Sequence, residues 1–316
     1  MLIFHAGTPQ AELRNEYLFQ HLDRRLLSYF DMTKSVRKTH LDGDNCPPKE
    51  YLILDSGAFS AWSKKAVINF DEYIQFCLTY QDKISYIVNL DVIPASPGQK
   101  RISGLEIERS ASLGWRNAHK LFTAGIPLSK LIHVFHQNED FKWLERMVRD
   151  FQYIGLSPAN DRTTQEKVSW LDRCMNYVTD SNGDAIIKFH GFAVTSHLLM
   201  KRYPWYSVDS ASWTLVAAMG GVILPDFNEP FQKPHLLFDV SSKSSAIGDL
   251  KHINNIAPQL RKRIFSYFQE QGFTSEALQT DYYTRAAANV QYMNNLSAYF
   301  KQHPQRFINN YQGFNL

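Results

Sequence analysis

Three aspartates in this 316-residue chain each follow a short apolar run, and carboxylates placed in this way are candidates for catalysis. Asp55 ends the run YLIL, Asp91 follows YIVNL, and Asp209 follows YSV. If these runs are parallel strands, their carboxyl ends meet at one edge, where α/β proteins carry their chemistry. Crowded carboxyl groups raise the pKa of at least one member, as acid/base catalysis requires. The alternative for any one of them is that it caps the following helix.

Short apolar runs alternate with amphipathic helical patterns, which predicts an α/β fold with a parallel sheet. Eight such units favour a (β/α)8 TIM barrel, with a doubly wound open sheet as the alternative. The predicted strands are residues 2–5, 51–54, 85–90, 131–135, 153–156, 186–189, 206–208 and 221–224, with 235–240 competing for the last place. The predicted helices are residues 10–30, 70–81, 104–124, 141–148, 164–178 and 195–202, and residues 33–50 are predicted to be a loop.

The C-terminal part of the chain has a helical pattern without further strands. Residues 245–302 have helical spacing, with an apolar stripe that includes Ile264, Tyr267 and Phe268. We therefore interpret residues 1–240 as a catalytic barrel and residues 241–316 as a C-terminal helical extension packed on it.

Alternation along a strand predicts which side chains share a face. It groups Ile87, Asn89 and Asp91 on one strand, and Lys188 with His190 on another. A lysine inside a barrel is expensive unless it is paired, so we expect Lys188 to pair with one of the aspartates. His190 would orient a carboxylate, contact phosphate, or be an ordinary hydrogen-bonded histidine.

Composition limits the classes of protein that the chain can represent. The formal net charge of +3 neither requires nor excludes nucleic-acid binding. The three cysteines are far apart and lack zinc-ligand spacing, which favours a reducing cytoplasm and predicts no metal site. The N-terminus lacks a signal-peptide pattern, and no apolar run approaches the ~18 residues of a membrane span. We expect a cytoplasmic protein without a membrane partner.

Five short motifs together resemble the tRNA-guanine transglycosylase superfamily. They are residues 55–59 (DSGAF), 90–94 (LDVIP), 135–137 (FHQ), 154–157 (IGLS) and 208–210 (VDS). Their order and approximate spacing are similar to those of the family over roughly residues 50 to 225. The family has a (β/α)8 barrel that exchanges guanine in nucleic acid for a 7-deazaguanine base such as preQ0. The compact chain is most similar to the phage and bacterial branch that modifies DNA.

The resemblance implies a role for each matching residue. Asp209 would be the nucleophile that attacks the sugar C1′ and holds a covalent intermediate, and Asp55 would be the general acid/base. A carboxylate that traps an oxocarbenium-like carbon divides one hard substitution into two easier steps. The remaining base-binding residues implied by the resemblance are Asp91, Gln137, the backbone of Gly155 and Leu156, Ser56 and Phe59. Reaching the glycosidic bond requires the target nucleotide to leave its stack, and Phe59, Tyr203, Trp205 and Trp213 are candidate stacking surfaces, with core packing as their alternative.

Two basic pairs are candidate contacts to the nucleic-acid backbone. Lys100 and Arg101 follow the third predicted strand, and Lys201 and Arg202 precede the seventh, so both pairs are expected on the catalytic side. The alternative for each pair is a solvated surface. Affinity that depends on such contacts falls steeply with salt concentration.

The sequence departs from the family pattern at three points. Ala58 and Ser60 replace the usual glycine and glutamine around Phe59, which bears on base selectivity. The zinc cluster is absent, so no metal or cofactor is expected and the C-terminal helices would be held by packing alone. No appended RNA-binding domain is found, which favours DNA over tRNA as the substrate.

Two rival functions are compatible with the same residues. A retaining glycoside hydrolase or nucleosidase would use the same carboxylates on a small substrate, and a non-catalytic barrel would only bind nucleic acid. For the transglycosylase, the expected partners are nucleic acid, with DNA preferred and tRNA as the alternative, and a 7-deazaguanine base. An accessory protein or a homodimer is a further expectation, and the setting would be the host cytoplasm if the chain is phage-encoded.

Overall fold

A computed structural model gives the fold of the chain. The structure describes residues 1–7, 18, 21–42, 51–94, 102–159, 161–244 and 252–308.

Eight parallel strands form a closed barrel in chain order, and the last strand pairs with the first. The strands are β1 (Leu2–His5), β2 (Arg24–Ser28), β3 (Tyr51–Asp55), β4 (Tyr86–Val88), β5 (Leu131–His136), β6 (Tyr153–Ser157), β7 (Lys188–Gly191) and β8 (Ser207–Ser210). The prediction of a (β/α)8 barrel is confirmed, and the open-sheet alternative is wrong.

Helices alternate with the strands and continue beyond the barrel. Those between barrel strands are α1 (Lys34–Arg37), α2 (Ala58–Ser63), α3 (Phe70–Tyr80), α4 (Gly104–Ala124), α5 (Phe141–Asp150), α6 (Thr164–Val178) and α7 (His197–Arg202). Those after β8 are α8 (Ser212–Ala218), α9 (Pro258–Glu270), α10 (Ser275–Thr280) and α11 (Tyr282–Gln302). The predicted helices 70–81, 104–124 and 164–178 agree with α3, α4 and α6 to within a residue.

Two strand assignments were wrong. One barrel strand was missed and one strand outside the barrel was included, so the predicted number of eight is still correct. Residues 24–28 were predicted to be helical but form β2, which is buried on both faces and therefore lacks a clear strand alternation. Residues 221–224 form β9 outside the barrel, where they pair antiparallel with β10 (Leu236–Asp239). The predicted loop 33–50 contains α1 and a five-residue π-helix at Lys38–Asp42, and residues 43–50 lie outside the described part.

Alternate side chains on the strands build two separate cores. The barrel interior contains Phe4, Ile53, Val88, Val134 and Tyr153, among others. The opposite strand faces pack under the surrounding helices. A third cluster joins α8, β9 and the C-terminal helices, so the helical extension shares its core with the segment that follows β8.

Hydrogen bonds tie the C-terminal helix α11 to the rest of the molecule, so the expectation of packing alone is wrong. Asn289 is fully buried. Its Oδ1 accepts from Ile223 N at 2.7 Å, and its Nδ2 donates to Trp213 O at 3.0 Å and to Gly221 O at 3.4 Å. Ser297 Oγ on the same helix donates to Met1 O, at the start of the barrel.

In the part of the chain that the structure describes, we find no helix with the length and apolarity needed to cross a bilayer.

The substitution Asn289→Ala should destabilise the protein by about 3 kcal/mol, because it leaves buried backbone groups without a hydrogen-bond partner. Urea unfolding monitored by circular dichroism measures the change. The control is Gln302→Ala, an exposed position on the same helix, which should leave the unfolding free energy nearly unchanged. Equal stability of both variants would show that packing alone holds α11.

Candidate active site

The barrel brings the three predicted aspartates to one mouth. Asp55 is the last residue of β3, Asp209 is the third residue of the four-residue β8, and Asp91 follows the end of β4. None of the three caps a helix through its side chain in the predicted way. The N-cap residues of the helices that follow are Gly57, Ala211 and Ser103. The capping alternative is therefore wrong for each aspartate.

Asp209 is held by two donors on one carboxyl oxygen. His190 Nε2 lies 3.2 Å from Asp209 Oδ1, and Ala193 N donates to the same oxygen at 2.8 Å. The side chain is 12% exposed, so it is not fully closed to solvent. Ala193 has a φ of 53°, a left-handed conformation that is rare for a residue with a Cβ and that aims its N–H at the carboxyl group. These contacts leave Oδ2 for chemistry.

Asp91 has a histidine partner of its own. His136, the last residue of β5, places Nε2 at 3.3 Å from Asp91 Oδ2. Burial alone would lower the pKa of His136, but the charge and contact of the Asp91 carboxylate, with the charge of Glu139, raise it to about 9. The imidazole is therefore protonated near neutral pH and acts as the counter-ion of Asp91.

Asp91 does not lie on the same face as the β4 residues with which it was predicted to group. Tyr86 and Val88 line the barrel interior, whereas Ile87 packs in the outer core. Asn89 is also buried away from the mouth, where its Nδ2 donates to Gly114 O at 2.9 Å and lies 3.1 Å from His133 Nδ1. Ile87 and Asn89 share a face as predicted, but it is the outer face, and Asp91, beyond the end of β4 at Val88, does not continue it.

Asp55 has no such histidine contact in the described structure. Its Oδ2 accepts from Gly57 N at 3.0 Å. Gly57 has a φ of 75°, and a Cβ there would lie 2.5 Å from Ser28 Oγ, so this turn requires glycine. Burial and the charge of Asp91, and to a smaller extent that of Asp209, raise the pKa of Asp55 to about 7. Near neutral pH, Asp55 therefore carries a proton about half of the time.

The three aspartates thus occupy different electrostatic environments. Two have a histidine nitrogen within 3.3 Å, and the third is raised in pKa by burial and by its neighbours. Different surroundings of this kind allow one carboxyl group of a pair to act as the nucleophile and the other as the acid. The site can therefore offer a carboxylate oxygen and a proton at the same mouth.

The residues implied to bind a base differ in accessibility. Phe59 is 56% exposed at the start of α2 and lies 5.7 Å from the ring of Trp62. Ser56 is buried, and its Oγ accepts from Ala58 N at 3.4 Å. Gln137 Oε1 accepts from Ala159 N at 2.9 Å, so this side chain braces the loop after β6.

Gly155 and Leu156 lie within the barrel ladder. Gly155 is aligned with Val134 on one side and His190 on the other, and Leu156 O accepts from Phe192 N at 3.0 Å. A Cβ on Gly155 would lie 2.4 Å from Phe192 Cε2. The absent side chain of Gly155 therefore makes room for Phe192.

Several predicted supporting residues lie elsewhere. Lys188 is exposed at the N-terminal start of β7, and its Nζ lies 4.7 Å from the ring centroid of Tyr206, so the predicted pairing with an aspartate is wrong. Tyr203, Trp205 and Trp213 are buried core residues, and the packing alternative holds for them.

The basic pair Lys201 and Arg202 ends α7, on the side of the barrel where strands begin, and the predicted catalytic side is wrong. Lys201 Nζ donates to Gln232 O at 2.9 Å, and Arg202 makes a two-point contact with Asp172. Lys100 and Arg101 lie outside the described residues.

Sequence reasoning missed His136, Ala193 and Glu139. His136 stands at a strand end beside Gln137, the same signal that identified the aspartates, so it could have been found in the same way. The role of Ala193 depends on its backbone conformation, for which the sequence carries no signal. Glu139 is a further carboxyl group here, and burial and the charge of Asp91, against the charge of His136, raise its pKa to about 7.

Within the described ranges, no group of three or more histidine, cysteine, aspartate or glutamate side chains is arranged to hold a metal ion.

Comparison of the sequence with models of protein families and with curated proteins gave no match.

The substitution Asp55→Asn should stabilise the protein at pH 8 but have little effect at pH 4. Because the pKa of Asp55 is raised on folding, the native state holds more protons than the unfolded chain between about pH 4 and pH 7, and stability falls as pH rises through that window. Removing the carboxyl group abolishes this loss, which is on the order of 4 kcal/mol. Urea unfolding at both pH values measures it.

The matched control is Asp31→Asn. Lys64 Nζ lies 2.8 Å from Asp31 Oδ1. Burial raises the pKa of Asp31, but the hydrogen bond and charge of Lys64 outweigh it and the net shift is downward, so this substitution should bring no gain at pH 8. An Asp55→Asn protein that is no more stable than wild type at pH 8 would contradict the raised pKa.

Proposed function

We propose that the protein is a transglycosylase that exchanges guanine in nucleic acid for a 7-deazaguanine base through a covalent intermediate on Asp209. One observation carries the proposal: the mouth combines a buried carboxylate held on one oxygen, Asp209, with a carboxyl group whose pKa is near 7, Asp55. A double displacement at a sugar carbon requires this pair of groups. The proposal accords with the family resemblance of the five motifs.

The reaction proceeds in two displacements. Asp209 Oδ2 attacks C1′ while guanine departs with the electrons of the glycosidic bond and takes a proton from Asp55. The incoming 7-deazaguanine then gives its N9 proton to Asp55, and N9 attacks C1′ while the bond from C1′ to Oδ2 breaks. Asp55 regains its proton and Asp209 its negative charge, so the enzyme returns to its starting state.

The other groups at the mouth bind the purine. Asp91, paired with His136, accepts hydrogen bonds from the donor edge of the purine. The exposed ring of Phe59 begins the helix that follows Asp55 and offers a stacking surface to a base that has left its stack. A nucleobase, which has both a hydrogen-bonding edge and a flat aromatic face, matches the combination of a carboxylate and an exposed aromatic ring.

We propose DNA as the preferred nucleic acid, tRNA as the alternative, and the cytoplasm as the setting. The preference rests on the similarity of the chain to the DNA-modifying branch of the family. Asp209, Asp55 and Asp91 serve either substrate equally, because both present the same base and the same C1′ carbon.

Base exchange on matched DNA and tRNA tests the proposal. Each nucleic acid carries radiolabelled guanine, and preQ0 or preQ1 is offered as the incoming base. Wild type should release label from DNA, and Asp209→Asn, which keeps the shape and removes the charge, should be slower by about 1,000-fold or more. The control is Asp184→Asn, at a surface ion pair with Arg306, which should keep full activity.

The other outcomes separate the rivals. Release from tRNA alone changes the substrate and keeps the mechanism. Cleavage of free nucleosides without salt dependence favours the nucleosidase. Binding of nucleic acid without release of label from either polymer, by wild type and variant alike, contradicts the enzymatic proposal and favours a non-catalytic barrel.

The double substitution Lys100→Ala and Arg101→Ala should weaken DNA binding and its salt dependence. These residues follow β4 and precede α4 in the chain, and each lost phosphate contact lowers the slope of log affinity against log salt by about 0.7 to 0.9. Lys201→Ala is the matched control, because its ammonium group donates to Gln232 O. Fluorescence anisotropy over a salt series measures both. Unchanged slopes in the double variant would remove this pair from the interface.

A further inference from the structure

Three buried polar side chains stand in series behind Asp209. His190, on β7, places Nε2 at 3.2 Å from Asp209 Oδ1 and Nδ1 at 2.5 Å from Ser207 Oγ. The hydroxyl of Tyr153 contacts Ser207 Oγ in turn and lies 3.5 Å from His190 Nδ1. All three side chains are at most 1% exposed, so together they form a continuous polar chain inside the barrel.

Hydrogen-bond chemistry fixes which group donates at each contact in this series of side chains. A carboxylate oxygen can only accept, so His190 Nε2 carries the hydrogen that faces Asp209. In the neutral imidazole, Nδ1 then accepts from the Ser207 hydroxyl, and Ser207 Oγ accepts from the Tyr153 hydroxyl. Every donor in the series points toward Asp209.

The surroundings leave these groups few other partners. The interior around them is lined by apolar side chains, including Phe4, Ile53 and Val134. Polar groups in such a place are expensive unless they are hydrogen-bonded, so the series holds together as a unit and fixes the imidazole in one orientation. A barrel interior needs no such series for packing, since aliphatic side chains fill the same space.

We propose that His190, oriented by Ser207 and Tyr153, is a positioning residue that makes Asp209 a good leaving group and so keeps the covalent intermediate short-lived. The proposal rests on the transglycosylase function proposed above. A donor on Oδ1 stabilises the free carboxylate more than the ester, because the hydrogen bond is stronger to a charged acceptor. It therefore favours the second displacement.

The hydrogen bond from His190 affects the bond between Asp209 Oδ2 and C1′, which forms in the first displacement and breaks in the second. In the first displacement the bond from Oδ2 to C1′ forms, and the charge on Asp209 is neutralised in the ester. In the second displacement that bond breaks, and its electron pair returns to the carboxylate facing His190 Nε2–H. Without the donor, the ester forms but is released slowly, and the enzyme remains attached to the nucleic acid.

Single-turnover experiments with His190→Leu and His190→Gln test the proposal. Denaturing gels follow the covalent adduct of protein and nucleic acid, and label release follows the first step. The leucine variant should release the adduct about 10- to 100-fold more slowly than wild type, because it lacks one hydrogen bond to a charged group. The adduct should therefore accumulate. The glutamine variant, whose amide can donate at a similar position, should restore release in large part.

Ser207→Ala provides a second route if His190→Leu fails to fold. It keeps the imidazole but removes the hydroxyl that orients it, so it should slow adduct release in the same direction and by a smaller factor. In the free wild-type protein, nitrogen-15 NMR of labelled histidine should show hydrogen on Nε2 of His190 and a lone pair on Nδ1.

Different results would overturn the positioning role of His190 and the transglycosylase function. If wild type exchanges bases but the His190 and Ser207 variants lose label release and adduct release in equal proportion, the histidine has only a structural role and the inference is wrong. The opposite tautomer by NMR overturns it as well. If wild type forms neither product nor adduct on any substrate, the transglycosylase function itself fails and the inference fails with it.

Discussion

The burial and mutual repulsion of three aspartate carboxyl groups at one barrel mouth are the constraint on which the site depends. Asp55, Asp91 and Asp209 are delivered there by parallel strands, and negative charges collected at one place cannot all be accommodated without compensation. His190 and Ala193 N compensate Asp209, and His136 compensates Asp91. Asp55 is left to hold a proton. The chemical roles proposed for the three residues follow from this distribution of partners.

The barrel makes that distribution possible because each partner comes from a different strand. His190 on β7 meets Asp209 on β8, and His136 on β5 meets Asp91 beyond β4. Behind the mouth, Tyr153 and Ser207 extend the support of Asp209 into the interior. Outside the barrel, Asn289 bonds the backbone of α8 and β9 to helix α11, which ties this helix to the rest of the molecule with hydrogen bonds. Rigid surroundings of this kind are what a preorganised site needs.

Much of the fold and part of the site could be predicted from local pattern. Asp55 and Asp209 were placed correctly because they lie on strands, where alternation fixes the side-chain direction. Asp91 was assigned to the mouth from strand alternation, but it lies beyond the end of β4 at Val88. Lys188 was assigned to the mouth although it is the first residue of β7, at the opposite end of the strand. Strand β2 was missed because it is buried on both faces, so its sequence does not alternate between apolar and polar residues. Strand position pointed to His190 and could have pointed to His136, whereas the left-handed Ala193 depends on backbone torsion, which no local pattern encodes.

Carbon-13 NMR of labelled aspartate carboxyl groups in the free protein measures whether Asp55 holds a proton near neutral pH. We expect one buried aspartate that titrates near pH 7 and whose resonance disappears in Asp55→Asn. The same titration should remain in Asp31→Asn. If no aspartate titrates above about pH 5, or if the resonance that titrates near pH 7 belongs to Asp209 instead, Asp55 is not the acid of the pair and the proposed division of roles is wrong.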